Sequence, residues 1–156
     1  MTPRARRILS PALVLAVTLL AVPALAGMRW DFFLDGETAG TPSSAWGTAS
    51  LILNDEMTEV RYDIRHFGLQ GGETGAHFHD GSPGGVGARI FNLEVGEIKQ
   101  GVWPLEGRDL QILLGGWVYL VVHSDLYLGG EIRGDATTGI VPVEPATWSG
   151  VKALYR

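Results

Sequence analysis

The sequence predicts an all-β fold, an antiparallel Greek-key-like β-sandwich of about seven or eight strands with one short helical turn. Three observations point there. Short runs rich in aromatic and β-branched residues alternate with Gly, Asp and Asn punctuation, and no long stretch keeps a helical period. The third observation is TEVRYDIRHFGL, where Val60, Tyr62 and Ile64 point one way while Arg61, Asp63 and Arg65 point the other, as on a sheet with one dry and one wet face.

The elements follow in chain order. Residues 1–26 read as a secretory signal peptide: Arg4, Arg6 and Arg7 form a basic segment, Ile8 to Val22 an apolar one, and Ala24-Leu25-Ala26 a small-x-small cleavage site. An uncleaved anchor is disfavoured, because the apolar run is shorter than the roughly 20 residues a span needs and is flanked or interrupted by Pro11 and Pro23. Met28 to Leu34 is the first expected strand, closed by Asp35-Gly36, and Ala45 to Leu53 is the second, closed by Asn54-Asp55-Glu56. In the third, the alternation sends His66 to the core and Phe67 to solvent, with an end or bend near Gly68. Ala76 to Asp80 and Arg89 to Val95 are the next strands, joined by GSPGGVG. Leu105, Leu110, Leu113 and Leu114, stopping at Gly115-Gly116, suggest a helical turn. WVYLVVHS and GEIRGD supply the last strands.

One domain is expected over residues 27–137. The 130 residues that remain after leader removal are enough for a single core, and the absence of Cys excludes both disulfide staples and a lipidated thiol. Loss of the leader's three arginines leaves 9 basic against 17 acidic residues, a formal charge of −8. That balance, with no basic cluster, argues against nucleic acid and anionic membranes as partners. Residues 138–156 form a tail of different composition, in which Pro142 and Pro145 break any strand and Trp148, Val151 and Tyr155 could line a short amphipathic helix. The tail is too short to cross a bilayer; its fragment VEPATW resembles a proline-glutamate-proline sorting tag without the hydrophobic span such tags carry.

The chemistry concentrates in GAHFHDGSPGGVG. On a strand, residues i and i+2 share a face, so His77 and His79 project together and could hold one ion about 2 Å from their ring nitrogens. His123 in VVHSD is the third candidate ligand, and Glu131 in GGEIRG a fourth ligand or an acceptor that orients a ring. Three imidazoles and a carboxylate suit zinc or copper(II). Acidification through the ordinary histidine pKa near 6.5 would then release the ion, and Arg133 could guide an anionic substrate. The favoured alternative needs no ion: His79 bonds the glycine loop, Glu131 pairs with Arg133 or Arg89, and Asp80 completes the cluster. His66 stands outside the set. Gly84 and Gly87 are read as turn residues at positive φ, because a strand follows the loop where a phosphate cradle would need a helix. No nucleophile motif is present, and nothing fixes a separation among Asp80, Asp125 and Glu131 for glycoside chemistry.

The runs YDIRHFGLQGGETGAHFHDGSPGGVGARIFNL and LLGGWVYLVVHSDLYLGGEIRG resemble the CHRD domain, named after chordin and found in many secreted bacterial proteins, over roughly Met28 to Asp135. The resemblance implies an extracytoplasmic β-sandwich of about this length, without established catalysis among bacterial members. Phe78 stands where that family often has a small aliphatic residue, and Asp80 where Gly is common. The pairing of H-x-H with V-V-H is also similar to copper,zinc superoxide dismutase, which would make His77, His79 and His123 copper ligands. The long zinc-binding loop and the cysteines of that family are missing.

The expected function is therefore a secreted CHRD-type binding or structural module, with no catalytic residues, no required cofactor and an extracytoplasmic protein or glycan as partner. The alternative is a periplasmic copper- or zinc-binding protein or redox enzyme built on His77, His79 and His123. A third reading makes the chain a surface component exported or attached through its tail.

Overall fold

A computed structural model describes residues 28–82, 87–136 and 141–142. The leader, Gly84 and the expected amphipathic helix of the tail lie outside the described residues.

The described chain is all-β, as expected, with two short helices where one helical turn was expected. β1 (Met28–Asp35), β2 (Trp46–Leu53) and β3 (Glu59–Phe67) form a meander, followed by β4 (Glu73–Asp80), β5 (Ala88–Leu93) and β6 (Ile98–Pro104). β7 (Val118–Ser124), β8 (Ile132–Asp135) and the two-residue β9 (Val141–Pro142) complete the sheet. The strand order is β5-β4-β7-β8-β1-β2-β3-β6, every pair antiparallel, with β9 added to β1 at Met28 and Arg29.

The two ends of this order meet in the core. Phe78 of β4 and Phe91 of β5 stack on Trp103 of β6, with ring centroids 5.1 and 5.9 Å apart, and Tyr62 of β3 meets Phe91 edge-on at 6.1 Å. The sheet therefore curls back on itself, enclosing Trp30, Leu34, Leu51, Ile64, Phe78, Leu120 and Ile132. Each such side chain contributes roughly 1.5–3 kcal/mol by leaving water, and the inward positions alternate with outward ones as the third strand's pattern required. His66 faces inward and Phe67 outward, and the strand stops before Gly68, whose φ of +70° takes the chain out of the sheet.

Besides β9, where Pro142 was expected to break any strand but ends a two-residue one paired with β1, two elements depart from expectation. β6 was not anticipated, because its alternation is inverted: Ile98 and Val102 are exposed while Lys99 is 2% exposed and points inward. Lys99 is tolerated there because its Nζ donates to Glu73 Oε1 at 2.6 Å and to the Gly96 carbonyl, and Glu73 Oε2 accepts from the Gly96 amide at 2.8 Å. His66 Nε2 lies 3.1 Å from both Glu73 Oε2 and the Gly96 oxygen, closing the buried network. The second departure is α1 (Gly36–Ala39), since Asp35 does not simply end β1 but caps a helical turn, accepting from the Thr38 amide at 2.7 Å. Gly40, at φ +73°, terminates it. The expected helix appears as α2 (Asp109–Leu114), burying Ile112 and Leu113.

Candidate metal centre

β4 and β7 are neighbours in the sheet, with Gly75 opposite His123, His77 opposite Val121 and His79 opposite Tyr119. Opposed residues share a face, so His77, His79, Tyr119, Val121 and His123 all project from the outer side, away from Phe78 and Leu120. His77 and His123 are diagonal neighbours. Gly75 makes their approach easy: a Cβ there would stand 3.3 Å from His77 Nε2.

The three histidines converge. One ring nitrogen from each lies within 4.8 Å of those of the other two, and the rings are half-buried. Tetrahedral ligands bound at about 2.0–2.1 Å stand roughly 3.3 Å apart, so the rings would draw together to hold one ion.

Hydrogen bonding fixes the chemistry of two rings. The Nδ1–H of His79 donates to the Gly87 carbonyl at 2.8 Å, and the Nδ1–H of His123 donates to the Leu128 carbonyl at 3.0 Å. A carbonyl can only accept, so the lone pair of each ring resides on Nε2. His79 Nε2, His123 Nε2 and His77 Nδ1 are buried without a hydrogen-bond partner. Backbone carbonyls holding the far nitrogens of imidazoles are the usual support of metal ligands.

The environment of His77 and His79 disfavours their protonated forms. Burial, aided by the charges of Arg89, His123 and His79, pushes the His77 pKa down to about 4. Burial also lowers that of His79 against the opposing hydrogen bond to Gly87, with His123, Arg89 and Arg133 adding to the decrease. Proton competition for His77 thus sets in near pH 4 instead of the ordinary 6.5 assumed from sequence.

Residues expected to surround the histidines are distributed differently. Gly87 has φ +69°, as a turn glycine should, and its carbonyl holds His79, which joins the glycine loop to β4 as expected. Glu131 does not pair with Arg133 or Arg89. Its carboxylate, 0% exposed, accepts at Oε1 from Ser43 Oγ and the Gln70 amide, both at 2.7 Å. The reason is local: β8 begins only at Ile132, after Gly130 at φ +119°, so the strand alternation that turns Arg133 outward does not extend to Glu131. Burial alone would raise its pKa, but the donors of Ser124, Gln70, Ser43 and Gly71 outweigh burial and lower it.

Asp80 also leaves the cluster, facing inward to accept from the Ser82 amide at 2.8 Å, with Arg108 3.7 Å away. Asp125 accepts from the Gly72 amide at 3.0 Å. Arg133 pairs with Asp135 at 2.6 Å and covers the Tyr119 ring at 3.9 Å, and Tyr119 in turn stacks on His79 with centroids 5.0 Å apart. Tyr119 was not anticipated. Its signal in the sequence was its i+4 relation to His123, which on a strand places both on one face.

A groove of about 920 Å³ lies elsewhere, on the outer face of β1, β2, β3 and β6, lined by Arg29, Phe33, Arg61, Asp63 and Val102. Its charges are largely paired internally, Arg29 with Asp31 and Arg65 with Asp63, and among the described residues no group of three His, Asp or Glu side chains converges there.

The family model for the CHRD domain matches residues 32–136, the span that carries both the rolled sheet and the three histidines. The chain belongs to the CHRD-domain family. No curated protein and no solved structure matches it. Within this CHRD domain, the H-x-H of β4 and the V-V-H of β7 are brought together by strand pairing, and the G-E-I-R-G segment supplies the buried Glu131 tie to Ser43 beside them in sequence. Among the described residues no helix is long and apolar enough to cross a membrane.

Proposed function

We propose that this CHRD domain is an extracytoplasmic metal-binding module that takes one copper(II) or zinc ion through His77, His79 and His123. The observation that carries the reading is the convergence of three imidazoles, one ring nitrogen of each within 4.8 Å of those of the others, with two rings oriented by backbone carbonyls and one buried nitrogen on each ring lacking a hydrogen-bond partner. A hydrogen-bonded clasp needing no ion accounts for the outer nitrogens of His79 and His123 but leaves three buried ring nitrogens unsatisfied. An all-nitrogen, three-imidazole set suits zinc and copper(II), and copper(II) stands highest in divalent affinity order. The leader-like residues 1–26 support export, where such an ion would be met outside the cytoplasm.

The test is elemental analysis of protein exported by its own leader, purified without a histidine tag and equilibrated with copper or zinc, beside a His77→Ala, His79→Ala double variant. One equivalent of tightly held metal in the parent and none in the variant is expected. Equal metal content in the two proteins, or none in the parent, overturns the reading.

A further inference from the structure

The three ligands bring no negative charge to the ion. Among the described residues no Asp or Glu joins the histidine group, so a divalent ion there keeps its full charge. A three-histidine site also leaves at least one coordination position for an external ligand.

The surroundings add positive charge to that position. Arg89 of β5 is the cross-strand partner of His79, which puts its exposed side chain on the same outer face as the ligands. Among the described residues Arg89 makes no ion pair; its one hydrogen bond runs from Nη1 to the neutral side chain of Asn92, at 3.3 Å. Arg133, on the other flank, is already balanced by Asp135 and anchored over Tyr119. The face therefore holds one uncompensated guanidinium beside a site that would carry the charge of its metal.

Resting on the metal-binding reading, we propose that the open position of this site takes a small anion, held by the metal on one side and by Arg89 on the other. A monoanion would reduce the net charge of the assembly, and a guanidinium offers it several donors in a planar fork. Arg89 acts on the anion and not on the metal, since it touches no ligand nitrogen through a hydrogen bond.

Azide is the probe, titrated into the copper(II)-loaded full chain and followed by its charge-transfer absorption and by electron paramagnetic resonance. Saturable azide binding at one copper is expected, weakened about tenfold in Arg89→Gln while copper stoichiometry stays at one. Arg89→Lys, which keeps the charge but loses the fork, is expected to fall between the two. Copper bound without any azide response, or equal azide affinity in parent and Arg89→Gln, overturns the anion proposal and leaves the metal reading intact. Failure of the parent to hold copper or zinc overturns both. The spectrum of azide-free Arg89→Gln provides the folding control, because an unchanged copper signal shows that the ligand set is undisturbed.

Discussion

At the scale of single residues, what a side chain does here is decided by whether the strand alternation reaches it. Glu131 and Arg133 are two apart in sequence and looked like partners, yet one is wholly buried and the other sits on the outer face. The Glu131 carboxylate links three distant segments by accepting from Ser43 and Gln70, and its lowered pKa means that the folded state favours the ionised form. A carboxyl group depressed on folding contributes stability above its unfolded value of 4.5, and that contribution is lost as pH falls through the lower folded pKa. Glu131→Gln removes the titration. The parent is expected to exceed the variant by about 1–3 kcal/mol near neutral pH, with the gap narrowing at pH 3. Urea unfolding at both pH values measures it; a gap that does not change with pH means that the carboxyl is not ionised in the fold.

At the scale of elements, legibility followed the direction of the alternation. β3 was readable because Val60, Tyr62 and Ile64 are apolar and inward while its charged residues face water. β6 hides because the same rule runs backwards, with Lys99 inside and Ile98 outside, and only the partner Glu73, on another strand, makes that arrangement affordable. The cap of α1 was similarly concealed, since Asp35-Gly36 closes a strand and starts a helical turn at one point. The Glu73 and Lys99 pair is buried, with side chains 7% and 1% exposed, so breaking it on one side should be costly. Glu73→Ala is expected to destabilise by about 3–5 kcal/mol because it strands the ammonium group, whereas Glu73→Gln with Lys99→Met should recover a large part of that loss. A double-mutant cycle by chemical unfolding checks this, and additive losses would show that the two groups do not depend on one another. Copper or zinc stoichiometry should stay at one in the folded variants, because this network lies apart from the histidine face.

At the scale of the whole molecule, the sequence could place His77 and His79 on one face but could not place His123 beside them. That step depends on β7 pairing with β4 after the chain has passed through β5, β6 and α2, a long-range register that no local pattern carries. A metal held by all three rings would consequently tie together two strands that are adjacent in space and remote in sequence, and it would bind the folded state alone. Such an ion stabilises the fold by mass action, by about 2.7 kcal/mol at a free concentration one hundred times its dissociation constant. For a domain of about 100 residues that corresponds to a rise in Tm on the order of 10 °C. Scanning calorimetry of the copper- or zinc-loaded protein is expected to show the rise, chelation to reverse it, and His123→Ala to abolish it while the apo form of that variant still unfolds cooperatively. His123 is the informative choice because it alone lies on the second strand. An equal rise in His123→Ala would place the stabilising ion elsewhere on the protein and separate the strand pairing, which the fold needs, from the metal centre proposed upon it.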